Sequence, residues 1–171
     1  MRIHLGANYQ GYALGRELEA RLTHAGHDVV WQGAPEYDDN DDYPLYCIRV
    51  GQAVVEDEDN GVTSRGVVIG GTGAAEAITT NKVNGARAVH AEQLDVVVDA
   101  RAHADANILV LGAERVNAAH GNTLVDALVS EPFLRLLDDA RRIVNTAEFE
   151  NSGTIEGWMI EYTSGSSGTT K

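Results

Sequence analysis

The sequence predicts an open parallel α/β sheet, and three observations carry that expectation. Short apolar runs recur along the chain and alternate with stretches of helical period. Two of these runs, Gly66-Val67-Val68-Ile69 and Ile108-Leu109-Val110-Leu111, are apolar throughout rather than at every second position, as strands buried on both faces are. The first of them meets Gly70-Gly71-Thr72-Gly73 and resumes as a helix, which is the strand, tight loop and helix of a right-handed crossover.

Each element follows from local pattern. Arg2-Ile3-His4-Leu5-Gly6-Ala7 reads as the first strand, and beyond Gly11 the residues Leu14, Leu18 and Leu22 recur at helical spacing up to Gly26. Asp28-Val29-Val30-Trp31 is the second strand, and the acidic stretch from Glu36 to Asp42 is an exposed loop. Tyr43-Pro44 opens the next helix, since proline is tolerated in a first helical turn, with Ile48, Ala53 and Val54 expected on its inner side. A helix is expected from Ala74, a strand at Arg87-Ala88-Val89-His90 and a helix from Glu92 to about Ala104. After the fifth strand come helices around Thr123 to Val129 and Pro132 to Ala147, the latter an extra C-terminal helix. The pattern stops at Asn151, and Ser164-Gly165-Ser166-Ser167-Gly168 has linker composition, although Trp158, Met159, Ile160 and Tyr162 could dock on a neighbouring surface. The expected division is a domain of residues 1–148 and an extension of residues 149–171, flexible at its end.

Composition narrows the function. Thirteen Lys and Arg against 26 Asp and Glu give a formal charge of −13, so the long-range field repels nucleic acid and anionic lipid. No apolar run approaches the ~20 residues that span a bilayer. The single cysteine, Cys47, makes no internal disulfide, and the chain enters its first strand without a signal peptide, so the cytosol is the expected compartment.

The segment from Gly70 to Glu76 is the most informative. Glycines let successive backbone N–H groups converge on an anion at the start of a helix, although a plain strand-to-helix turn would read the same way. The glycine spacing is not that of a dinucleotide fingerprint, and the Gly-Lys-Ser/Thr ending of a P-loop is missing. His4, His24, His27, His90 and His120 form no spacing that suggests a metal site.

Further segments accompany this loop: Gly6-Ala7-Asn8-Tyr9-Gln10-Gly11-Tyr12, Asp42-Tyr43-Pro44, Asn81-Lys82-Val83 with Gly85-Ala86-Arg87, and Arg101-Ala102-His103-Ala104-Asp105-Ala106-Asn107 before Leu111-Gly112. In that order and spacing they resemble the ribose-5-phosphate isomerase B family, which includes galactose-6-phosphate isomerase subunits, over residues 1 to about 148. The resemblance implies a Rossmann-like three-layer α/β domain with a five-stranded parallel sheet. It implies a homodimer, or a tetramer, with active sites at the subunit interface, and aldose–ketose isomerisation through an enediolate without metal or coenzyme. Many members abstract the proton with a cysteine just before the Gly-Thr-Gly, where this chain has Gly70; in a second subgroup the base is a glutamate downstream, which Glu76 matches. A carboxylate shielded from water suits that task, and a first-turn carboxylate is also favourable for purely helical reasons. Gly71, Thr72, Gly73 and Ala74 are then the donors for the developing oxyanion. His103 matches the family's ring-opening histidine, its structural alternative being a helix-end histidine bonded to a carbonyl. Asn8, Tyr9, Tyr43 and Asn81 are expected to position substrate, with loop bracing open for Asn81 and interface packing for Tyr43.

The chain departs from the family at the phosphate. Asn8-Tyr9 stands where Asp-His is usual, the first phosphate arginine falls on Glu114, the next on Asp138, and only Arg141 is retained. A dianion ~4 Å from a carboxylate costs on the order of 4 kcal/mol at an effective dielectric of 20. Glu114 and Asp138 therefore suggest acceptors for the hydroxyls of an unphosphorylated sugar, with Arg141 free for a carboxylate. Three readings stay open: an isomerase of such a sugar, a sugar-phosphate isomerase in which Arg115, Arg135 and Arg142 compensate, and a non-catalytic sugar-binding or partner subunit.

Overall fold

Five parallel strands form one sheet in the order β2-β1-β3-β5-β4 in the computed structural model, which describes residues 1–153. They are β1 (Arg2–Ala7), β2 (Asp28–Trp31), β3 (Ser64–Gly70), β4 (Ala88–His90) and β5 (Ile108–Gly112). All pair parallel, with Ala7 opposite Ile69 and Gly70 opposite Gly112 at the carboxyl ends.

Strand alternation sorts side chains onto two helical layers. Ile3, Leu5, Val67, Ile69, Leu109 and Leu111 face one core, closed by Leu18 and Leu22 of α1 (Tyr12–His24), Val97 of α4 (Leu94–Ala104) and Leu124 and Leu128 of α5 (Ala118–Ser130). Val68, Ile108 and Val110 face the other, closed by Cys47, Val50 and Val54 of α2 (Tyr43–Asp59) and Ala77 of α3 (Ala74–Thr80). These elements belong to one compact unit, Met1–Leu134. The second unit begins at Arg135 and carries α6 (Leu137–Ser152), whose first turn holds Asp138 and Asp139.

Four details differ from the sequence reading. Ile48 is 37% exposed, because Tyr46, Cys47, Val50 and Val54 take the inner stripe of α2 and Ile48 falls on the opposite side. Helix α4 starts at Leu94 rather than Glu92, and α5 starts at Ala118, where the Asn117 side chain caps it by accepting the His120 N–H at 2.9 Å. Helix α6 opens only after Arg135, whose φ of 55° interrupts the helical path from Pro132, and it continues to Ser152. Trp158, Met159, Ile160, Tyr162 and the Ser164 to Gly168 stretch lie outside the described residues. Among the described residues no helix is long and apolar enough to cross a membrane.

Candidate active site

The chain leaves β1 for β2 on one side and returns to β3 on the other, so the carboxyl ends of β1 and β3 form the switch point of the sheet, the crevice where open α/β sheets bind ligands. Glycines shape the floor of that crevice. Gly73 has a φ of 87°, a left-handed conformation that L side chains resist, and it forms the N-cap of α3. Helix α3 then turns Glu76 back over the end of β3. A Cβ on Gly70 would overlap the Glu76 carboxylate and lie 2.7 Å from its Cγ, so glycine at position 70 is what lets the acid occupy this place.

Glu76 is only 4% exposed, and among the described residues its carboxylate has no hydrogen-bond or ion-pair partner. Its backbone carbonyl accepts the Thr80 hydroxyl at 2.7 Å, which fixes the helical turn that carries it. Cys47, 1% exposed, faces the same region from α2. Burial pushes its thiol up to about 12, the nearby Glu76 charge adding to that and a hydrogen bond with Thr80 opposing it. Cys47 is thus a neutral thiol at physiological pH.

The other expected site residues separate into two groups. Gly71 and Gly73 are buried in the loop, while Thr72 and Ala74 are exposed, the Thr72 hydroxyl lying 3.4 Å from the Ala74 N–H. Asn8 is buried at the end of β1 and its Oδ1 accepts the Gly11 N–H at 3.2 Å; Tyr9 beside it is half-exposed, with its N–H on Asp41 at 2.8 Å. Tyr43 heads α2, where the Asp42 carboxylate accepts its N–H at 2.9 Å, and its ring packs against the second core. Glu114 is exposed, and its N–H bonds the Gly71 carbonyl at 3.1 Å, which ties the β5 loop to the glycine loop.

Asn81 is a brace. Its amide N–H groups reach the Ala77 and Ala88 carbonyls at 3.1 and 2.9 Å, and its Oδ1 accepts the Ala88 N–H at 2.9 Å, tying the end of α3 to β4. His103 lies elsewhere. It sits in the last turn of α4, which runs back along the sheet, and β5 alone separates the two edges by roughly 13 Å at ~3.3 Å per residue. His103 lines an open groove of about 710 Å³ on α4 with Leu94, Asp95, Val98, Asp99 and Ala102, away from Glu76. Its neighbours Arg101 and Asn107 hold the amino edge together: Arg101 bonds Asp105 at 2.8 Å and the Ala106 and Glu131 carbonyls, and Asn107 bridges Glu58, Gly85 and Arg87. In the second unit Asp138 and Arg141 pair with each other at 3.6 Å, both side chains being well exposed. Arg115 pairs with Glu92 at 3.5 Å.

Two residues at the crevice were not singled out by sequence reasoning. Gln10 lays its amide over Gly71, and His90, at the end of β4, buries its Nε2 against Gly73 with no partner among the described residues. The sequence signal for both was weak: position directly after a strand. Among the described residues no group of three or more His, Cys, Asp or Glu is arranged to hold a metal ion.

A parallel sheet with a buried acid beside a glycine loop at its switch point defines an α/β enzyme domain, and comparison with known proteins narrows the class. The family model described as Ribose/Galactose Isomerase matches residues 3–145. Ribose-5-phosphate isomerase B of Mycobacterium leprae is 38% identical over 89% of this chain and 91% of its own length, and that of Mycolicibacterium paratuberculosis is 36% identical over 89% and 93%. Among solved structures, ribose-5-phosphate isomerase B of Clostridium thermocellum superposes with a TM-score of 0.81 at 33% identity, covering 90% of this chain and all of that one. The Mycoplasma genitalium enzyme, solved with bound ribulose-5-phosphate, gives a TM-score of 0.81 at 27% identity over 88% of this chain and 97% of that one. The chain belongs to the Ribose/Galactose Isomerase family, and by that membership it is an isomerase.

Proposed function

We propose that the chain interconverts an aldose and its ketose through an enediolate, with Glu76 as the base. The Glu76 carboxylate takes the C2 proton of the open-chain sugar, and the C–H electron pair forms the C1–C2 double bond while charge moves onto the C1 oxygen. The N–H groups of Gly71, Thr72, Gly73 and Ala74 stabilise that oxyanion. The O2 proton passes to O1, Glu76 returns its proton to C1, and the product carries the carbonyl at C2 and a hydroxyl at C1. The observation that carries this reading is the unpartnered, buried carboxylate of Glu76 held over Gly70 beside the glycine loop.

His103 is the proposed ring-opening group, and its distance from Glu76 favours a site completed by a second copy of the chain. Leu45, Ile48 and Ile78, 50%, 37% and 65% exposed on the two helices around Glu76, suit a surface covered in a homodimer. The cytosol is the proposed compartment.

Ribose-5-phosphate, the substrate in the relatives' names, is the first candidate among sugar phosphates. A second reading, an aldose without the phosphate, is favoured by the exposed carboxylates of Glu114 and Asp138 and by the pairing of Arg141 with Asp138. Panels of free sugars, sugar acids and sugar phosphates incubated in heavy water, with C2 deuterium read by NMR, separate the two. Glu76→Gln is expected to lower exchange ~10³-fold. Reaction of sugar phosphates alone would refute the phosphate-free reading, and no exchange with any panel would leave a sugar-binding partner subunit.

A further inference from the structure

We propose that Gln10 is a specificity-determining residue of this site, its carboxamide reading a substrate hydroxyl beside the carbons on which Glu76 works. The inference rests on the isomerase reading above and adds to it a residue outside the catalytic set.

The β1 loop is clamped where Gln10 sits. Gly11 beds directly on β3: a Cβ there would overlap the Ile69 carbonyl and lie 2.7 Å from the Ile69 Cγ2. The Gly11 N–H bonds the Asn8 carbonyl at 3.0 Å and the Asn8 side chain at 3.2 Å, and the Tyr9 N–H bonds Asp41 at 2.8 Å. Between these fixed points Gln10 leans onto the glycine loop. Its Oε1, Cδ and Nε2 lie 2.7, 2.8 and 2.9 Å from the point where a Gly71 Cβ would stand. Near-equal distances to the three amide atoms mean that the carboxamide meets Gly71 face-on. Face-on packing uses none of its hydrogen-bonding capacity, and among the described residues the Gln10 amide has no partner.

The donors and the acceptor along the amide edge are therefore available to a ligand on the loop. Consecutive Cα atoms lie about 3.8 Å apart, so Glu76 over Gly70 and Gln10 over Gly71 flank a single peptide unit. A sugar laid across that peptide meets the carboxylate at its reacting carbons and the amide at the neighbouring hydroxyl. A neutral group that both donates and accepts complements a hydroxyl, which does the same; it supplies no charge for a phosphate.

The test uses hydroxamates of four-carbon sugar acids, planar mimics of a five-carbon enediolate, each with and without the hydroxyl next to the hydroxamate and with either a terminal phosphate or a terminal hydroxyl. Calorimetric titration of the full chain is expected to show about tenfold preference for the hydroxylated form, the worth of roughly one hydrogen bond. Gln10→Ala is expected to abolish that preference while binding the deoxy form as before, with its melting temperature unchanged. Equal loss for both forms, a preference that survives Gln10→Ala, or no binding of either form by the parent chain overturns the proposal. Binding and turnover fail separately: discrimination by Gln10 without deuterium exchange on any aldose would sink the isomerase reading and keep this one.

Discussion

At the amino edge of the sheet ion pairs tie strands to the helix α2, whereas at the carboxyl edge Glu76, His90 and Gln10 stand without such pairing among the described residues. His4 lies between Asp57 at 2.8 Å and Gln32 at 3.2 Å, Arg2 joins Asp57 to Asp28, and Arg87 holds Glu58 and Asp105. At the other edge Glu76, His90 and Gln10 have no such partners among the described residues, and the chain between them is mostly glycine. An unpaired buried polar group costs about 1–3 kcal/mol, a cost that the His90 Nε2 carries at this edge, while the Gln10 side chain is exposed to solvent.

The comparison predicts that lesions at the two edges are read by different measurements. Gly70→Ala should have the largest effect on turnover: the added methyl displaces the Glu76 carboxylate, and the deuterium-exchange rate should fall ~100-fold, since misplacement of a catalytic group by ~1 Å costs that much. Asn107→Ala, at the amino edge, removes the side-chain bonds to Arg87, Glu58 and Gly85, and should cost about 2–3 kcal/mol in urea unfolding. An Asn107 variant of undiminished stability would show that the amino edge is not the anchor.

The smallest effect concerns pH. Asp57 is half of a pair with His4, and although burial alone would raise its pKa, the hydrogen bond with His4 and the charges of His4 and Arg2 hold it below the ordinary 3.8. A depressed carboxylate contributes stability that is complete above its unfolded value and is lost as pH falls through the folded one. Asp57→Asn should therefore be less stable than the parent by about 1 kcal/mol at pH 6, with the gap closing below about pH 4 in thermal melts. A gap that stays constant down to pH 2 would show that the carboxylate's charge is not what holds His4.

How much of this was legible in the sequence follows the same division. The segment from Gly70 to Glu76 is contiguous, so strand, loop, cap and acid could be read together, and the strands announced themselves by apolar runs. The bracing role of Asn81 and the network of Arg101 and Asn107 depend on backbone groups of other elements, which spacing along the chain does not reveal. Gln10 is harder still, because its contact with Gly71 exists only once β1 and β3 are neighbours and Gly11 has let their loops touch. Ile48 was misplaced for a simpler reason: apolar residues nearby on α2 already filled the inner stripe, and one more had to lie outside it.

The position of His103 at the far end of α4 from Glu76 bears on how damaged chains should behave in mixtures. If each complete centre draws its acid from one polypeptide and its imidazole from another, Glu76→Gln and His103→Ala should rescue one another. Random pairing of equal amounts leaves one whole centre in each hybrid, and complementation to about a quarter of parental turnover is expected. Polypeptides that worked alone would recover nothing on mixing.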